Sequence, residues 1–293
     1  MNTASLAHAY RITDGRKFRL AKHDPADTGS LASKEPAAAA LEKTLARLDE
    51  LQEQLYAQNR WSVLIILQAM DAAGKDSVIE HVMSGLNPQG CEVYSFKGPS
   101  DEELDHDFLW RCACRLPRRG RIGIFNRSYY EETLVVRVHP EILGREKLPS
   151  ALVGKRLWEE RFEDIRAFER HLARNGTVVL KFFLHVSREE QRRRFLSRLE
   201  TPAKNWKFSA ADLAERERWD DYMAAYEETI RATATEEAPW YVVPADHKWF
   251  TRLVVAQALV TKLEEIDPQF PKLPPEEMQR LKAARTALKR HQE

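Results

Sequence analysis

Trp61-Ser-Val-Leu-Ile-Ile-Leu-Gln-Ala-Met-Asp-Ala-Ala-Gly-Lys-Asp76 runs from an uncharged aliphatic segment straight into a glycine-lysine turn. The first eight residues, Trp61 to Gln68, read as a strand, because an unbroken β-branched and leucine run needs cover on both faces. Ala69 to Asp76 follow that strand and open a helix. In this context backbone N–H groups at a helix start cradle phosphate and a lysine reaches its oxygens. The match to the phosphate-loop pattern G-x-x-x-x-G-K-[ST] is incomplete, since Ala69 replaces the first glycine and Asp76 the hydroxyl residue. That hydroxyl ordinarily ligates Mg²⁺. Ser77 comes one position late, so carboxylates must hold the metal, and Asp71 is the first candidate. A plain strand-to-helix turn would leave Gly74-Lys75 and the adjacent acids without a purpose.

Working outward, four further strand-like runs follow: Cys91 to Lys97, Arg121 to Asn126, Thr177 to Val186 and Trp240 to Val243. Helical stretches alternate with them: Asp76 to Leu86, Asp101 to Leu116, Lys155 to Arg174, Arg188 to Leu199, Ala210 to Thr235 and Trp249 to Ile266. An earlier one spans Pro36 to Asn59, with Leu41, Leu45, Leu48, Leu51 and Leu55 as its apolar stripe. This alternation predicts an α/β fold, a parallel sheet of about five strands flanked by helices. Ligands bind at the carboxyl ends of such strands, which groups Gln68 to Lys75, Lys97 to Ser100 and Asn126 to Glu132 around one crevice. Residues 1–35 read as an N-terminal arm, 36–270 as the kinase-like domain with a lid over about 188–235, and 271–293 as a charged tail.

The second loop, Asn126-Arg-Ser-Tyr-Tyr-Glu131-Glu132, ends the third strand in the order of the chain. An acid commonly reaches the metal from this place; here Asn126 occupies it, and Glu131 or Glu132 is the substitute. Arg127 points into the same crevice, and Arg137 lies further along. The densest basic segment is Arg188 to Lys207. Residues four apart share a helix face, which aligns Arg194 with Arg198. Taken alone, such a run is a solvated face. After a phosphate loop it reads as the arginine-rich lid of a nucleotide kinase, because the guanidinium fork gives bidentate, charge-assisted bonds to phosphate.

At this point the residues resemble the family-2 polyphosphate kinases. The matching stretches are Leu67 to Asp76, Asn87-Pro-Gln-Gly90, Ser95-Phe-Lys-Gly-Pro-Ser100, Glu103 to Trp110, Phe125 to Glu132, Val136-Arg-Val-His139 and Lys204-Asn-Trp-Lys-Phe-Ser209. Together they span roughly residues 35 to 265. Phe125-Asn-Arg-Ser-Tyr-Tyr-Glu looks like the subgroup called class III, which acts on nucleoside mono- and diphosphates, with Asn126 as its marker. The resemblance implies a P-loop kinase core with a helical lid, and polyphosphate as donor to AMP and ADP, giving ATP. It implies Asp71, Lys75, Asn126, Arg127 and Glu131 as catalytic residues, with Asp71 and Glu131 on Mg²⁺ (or Mn²⁺). Phosphates would be held by Ala72, Ala73, Gly74, Asp76, Ser77, Arg137, Arg194, Arg198, Lys204 and Lys207. Asn87, Lys97, Gly98 and Pro99 would line the nucleoside end.

Nothing in spacing or charge separates polyphosphate from ATP as donor, so an ATP-dependent nucleoside monophosphate kinase is the alternative. A nucleic-acid-binding regulator is a further rival, resting on the basic run Arg115 to Arg121. That run lacks interleaved aromatics for base stacking, and the formal net charge is only +1. Three cysteines in 293 residues imply no disulfide framework, and Cys112-x-Cys114 implies packed thiols rather than zinc. The longest aliphatic run, Val63 to Leu67, is too short to span a bilayer. The expectation is a cytoplasmic enzyme without nucleic-acid or membrane partners, and a homo-oligomer, dimer or tetramer.

Overall fold

The computed structural model describes residues 3–209 and 211–290. Thr3–His8 forms α1 and Arg11–Ile12 forms β1. Lys34–Gln58 is α2, and it ends where Asn59 enters the left-handed region at φ 53. Its stripe is buried through Leu48, Leu51 and Leu55. Then come β2 (Ser62–Gln68), α3 (Lys75–Val82), β3 (Cys91–Ser95), α4 (Asp101–Leu104), α5 (Trp110–Ala113), β4 (Ile122–Asn126) and α6 (Glu131–Val138). The chain continues through α7 (Leu157–Arg174), β5 (Thr177–His185), α8 (Arg188–Glu200), α9 (Ala211–Glu217) and α10 (Trp219–Thr233). It closes with β6 (Trp240–Pro244), α11 (Lys248–Ile266) and α12 (Pro275–Arg290).

One sheet runs β1-β6-β5-β2-β4-β3. The five strands from β2 to β6 are parallel, as the alternation predicts. A sixth was not legible: Arg11–Ile12 pairs antiparallel with Trp240 and Tyr241. Two residues carry no periodicity, and these lie in the stretch read as an irregular arm. That arm is built into the core, where Tyr10, Phe18, Leu20 and Leu31 are buried. Helices α2, α3 and α11 pack together as one group and α6, α7 and α10 as another. Strand β2 is buried along its whole length, which is why its sequence shows no polar alternation.

Three helix boundaries differ from the reading. The predicted helix Asp101–Leu116 is two short ones. Asp107 accepts from the Leu109 N–H at 2.9 Å, an Asx turn that breaks the ladder between them. The predicted Ala210–Thr235 helix is interrupted at Arg218, whose ψ of 20 leaves the helical region; its first residue, Ala210, lies outside the described residues. The helix expected from Asp76 to Leu86 stops at Val82, and Gly85 follows at φ 93. Among the described residues no helix is long and apolar enough to cross a membrane.

Candidate active site

Strand β2 delivers the glycine-lysine loop at the centre of the sheet. Ala72 at φ 62 and Gly74 at φ 114 put two left-handed residues immediately before α3. Only glycine takes the second without strain; the first stores a little strain where the chain turns around a ligand space. Lys75, half-buried, donates from Nζ to Ala69 O at 2.8 Å across the loop. Burial lowers its pKa, and Asp71 opposes that shift. Asp76 accepts from Asn126 Nδ2 at 2.9 Å, tying the start of α3 to the end of β4. Ser77 accepts from Arg252 Nη2 at 2.7 Å.

Strand β4 supplies the second loop. Arg127 sits at φ 66, with its N–H bonded to Leu67 O at 3.1 Å. Its guanidinium meets two carboxylates, Asp71 Oδ1 at 3.1 Å and Glu131 Oε2 at 3.4 Å. Glu131 is the first residue of α6, a helix the sequence reading did not anticipate. Burial raises its pKa, while Arg127 and Lys75 pull it back. Gln68, with its amide nitrogen turned toward α6, donates to Glu131 Oε1 at 2.9 Å and accepts from the Ser128 N–H at 3.1 Å. The convergence of Asp71, Gln68, Arg127 and Glu131 is therefore fixed by the ends of two adjacent parallel strands. Among the described residues no three His, Cys, Asp or Glu side chains form a metal cluster. The pair Asp71 and Glu131 offers hard oxygens of the kind Mg²⁺ takes from one or two carboxylates while phosphates and water complete its shell.

A crevice of about 1030 Å³ opens over Asp71 and Arg127, whereas Gln68 and Glu131 are not among its lining residues. Asp71, Ala72, Gly74, Lys75, Asp76 and Ser77 line one wall; Lys97, Gly98, Asn126 and Arg127 line a second; Arg198 of α8 and Lys204 and Lys207 of the turn after it also line it. Ala73 is buried beneath the loop. Lys97 is tied in place through its carbonyl, which accepts from Arg111 at 2.7 Å. Trp206, 78% exposed, and Lys248 also face the crevice. Nothing in the sequence singles out Lys248, because a single lysine at a helix start carries no pattern.

Four expected residues do other things. Arg194 lines the crevice but has no donor to spare. Its Nε binds Glu190, Nη1 binds the carbonyls of Ala72 and Ala73 at 3.0 and 2.7 Å, and Nη2 binds those of Ala245 and Asp246 at 2.6 and 3.1 Å. All five N–H groups are used, so Arg194 braces the back of the glycine-lysine loop and has no N–H left over for a ligand in this arrangement. Arg137 pairs with Glu228 at 2.5 Å and lies over Trp158 and Phe162, outside the crevice lining. Asn87 accepts from the Gln89 N–H at 2.9 Å and caps the turn 88–90. Pro99 is not among the lining residues either. A second cavity of about 1390 Å³ lies between the N-terminal arm and α10 and contains none of the loop residues.

A glycine-lysine loop after a central parallel strand, an arginine between two carboxylates and a wall of lysines and arginines are the features of a phosphotransferase. Residues 31–271 match the polyphosphate kinase 2 family, and the chain belongs to it. It is 54% identical over 267 residues to ADP-polyphosphate phosphotransferase of Rhodopseudomonas palustris, covering 91% of this chain and 92% of that one. It is 46% identical over 263 residues to AMP/ADP-polyphosphate phosphotransferase of Meiothermus ruber, covering 89% and 94%. The crystal structure of polyphosphate kinase 2 from Arthrobacter aurescens matches with a TM-score of 0.86 at 40% identity, over 96% of this chain and 97% of that one.

Proposed function

We propose that this enzyme transfers a phosphoryl group from inorganic polyphosphate to AMP and ADP, giving ADP and ATP. The observation that carries the reading is Arg127 held between Asp71 and Glu131, facing Lys75 across the phosphate loop. Phosphoryl transfer spreads charge over the equatorial oxygens, so the protein acts by positioning and by preorganised charge. Loop N–H groups and Lys75 hold the phosphate beside the one in transit. Arg127 meets the charge that develops on the transferring group. Arg198, Lys204 and Lys207 are the lid cations placed to follow the donor chain. The acceptor phosphate, with a second pKa near 6 as for phosphoesters on side chains, is largely dianionic at neutral pH and is already a nucleophile. Asp71 therefore orients more than it removes a proton.

Asp71 and Glu131 are the residues that would hold Mg²⁺, or Mn²⁺. Their two carboxylates converge on the Arg127 guanidinium; burial raises the pKa of Glu131 and the neighbouring cations Arg127 and Lys75 pull it back toward the carboxylate a metal would need. The ion supplies charge neutralisation between donor and acceptor phosphates when bound. Lys97 and Gly98 stand at the far wall, on the side suited to the nucleoside. The test is ATP formation from long-chain polyphosphate and Mg²⁺, with ADP and AMP supplied separately. Product from both supports the reading. If neither gives product while ATP phosphorylates a nucleoside monophosphate, the donor assignment falls.

A further inference from the structure

The core behind the second loop holds a lysine and a glutamate that this reaction does not use. Lys181, in the middle of β5, is fully buried among Leu180, Phe182 and their neighbours. Its ammonium donates to Glu169 Oε2 at 2.7 Å, Thr233 O at 2.8 Å and Tyr130 Oη at 3.0 Å. Glu169, buried on α7, accepts at Oε1 from the hydroxyls of Tyr129 at 2.9 Å and Tyr130 at 2.8 Å. The ammonium also lies 5.5 Å from the Tyr130 ring centroid and 5.3 Å from that of Trp240. All three ammonium protons and both carboxylate oxygens are engaged.

Stability does not call for such a group. A buried ion pair recovers its desolvation only in part, and apolar residues of like volume are often as stable or more so. What the network adds is direction. Tyr129 and Tyr130 are consecutive, and they separate Arg127-Ser128 from Glu131. Arg127 is already pinned at φ 66 by its bond to Leu67 O. Both phenols are anchored from below, which restrains the backbone from Arg127 to Glu131 to the setting seen here. In that setting the guanidinium of Arg127 reaches Asp71 and Glu131 together.

We propose that Lys181 and Glu169 are positioning residues for phosphoryl transfer, acting through the Tyr129 and Tyr130 phenols to fix the loop that aims Arg127 and Glu131. The proposal rests on the phosphotransferase reading above. Lys181→Met combined with Glu169→Gln removes both charges at nearly constant volume and separates direction from stability. Assayed well below the variant's own Tm, the expected result is kcat for polyphosphate and ADP down about 10- to 100-fold and KM for polyphosphate held within about twofold. Tyr130→Phe, which removes one hydroxyl from a packed ring, carries the same expectation at about threefold or more. Unchanged kcat in both variants overturns the proposal, as does a change confined to KM. A second readout needs no turnover: the Arg127 Nε–H resonance in arginine-labelled protein, recognised by its loss in Arg127→Lys. It is expected to shift in both variants, and a stationary resonance overturns the proposal. An inactive wild type would sink the reading of function, while the resonance still decides the role of the network.

Discussion

Arg127 reaches Asp71 at 3.1 Å from a strand that is neighbour to Asp71's own, so the pair is set by sheet register and not by loop flexibility. Leu67 stands opposite Asn126 in that register. The chain then leaves both strands at the same level, and the two loops that follow face each other. Arg127→Lys keeps the charge but cannot bridge Asp71 and Glu131 with one planar fork. A kcat loss on the order of 10²-fold is expected, measured in steady-state ATP synthesis. Retention of full activity would show that charge alone suffices.

Lys75→Ala should remove transition-state stabilisation on the order of 10²- to 10³-fold in rate. Single-turnover measurement at saturating substrates is the check, since it isolates chemistry from release. A near-normal rate would take Lys75 out of the site.

Arg194→Met tests the brace. Two loop carbonyls and two carbonyls after β6 lose their donors, together with the partner of Glu190. Stability is expected to fall by about 2 kcal/mol or more, seen as a lower Tm. A rate loss with an unchanged Tm would instead make Arg194 a phosphate ligand.

Asp71→Asn should raise the Mg²⁺ concentration needed for half-maximal rate by on the order of tenfold, and chelation of divalent ions should abolish turnover of the wild type. A wild-type Mg²⁺ titration curve in the variant would move the metal to other groups.

Glu132 offers a pH test separate from the chemistry. Burial and the facing Glu146 raise its pKa from 4.5 to about 8. A raised folded value means the folded chain keeps a proton the unfolded chain has released. The contribution to stability is complete below 4.5 and is lost as pH rises through about 8. Between about pH 5 and about pH 9, Tm should fall more in the wild type than in Glu132→Gln. Equal slopes by calorimetry would show that Arg161, 3.0 Å away, keeps the carboxylate ionised throughout.

Much of the site was legible because it is local. Asp71, Gly74 and Lys75 share one turn, Arg127 and Glu131 share another, and both turns follow hydrophobic runs that mark parallel strands. Arg194 was misread for a reason that spacing cannot reveal. Periodicity tells which residues share a helix face, but not whether that face meets substrate or five backbone and carboxylate acceptors. The Lys181–Glu169 network was illegible as a contact because its members lie on β5, α7 and the second loop. Its one signal was a lysine interrupting the hydrophobic run Val178 to Val186. Helix α6 escaped notice because the motif residues within it drew a functional reading and no structural one. The break at Asp107 depends on a side chain capturing a backbone N–H, which a helical pattern over Asp101–Leu116 does not show.

Strand β1 carries a consequence for handling the protein. Its two residues cover the backbone edge of β6, where Arg11 faces Tyr241 and Ile12 faces Trp240. Without that cover the sheet would present unsatisfied amides along a hydrophobic strand, a template for another chain to add on. Shortening the N-terminus past Ile12, a tempting trim of a segment that looks irregular, would therefore convert a guarded border into an adhesive one, and self-association would be the first symptom.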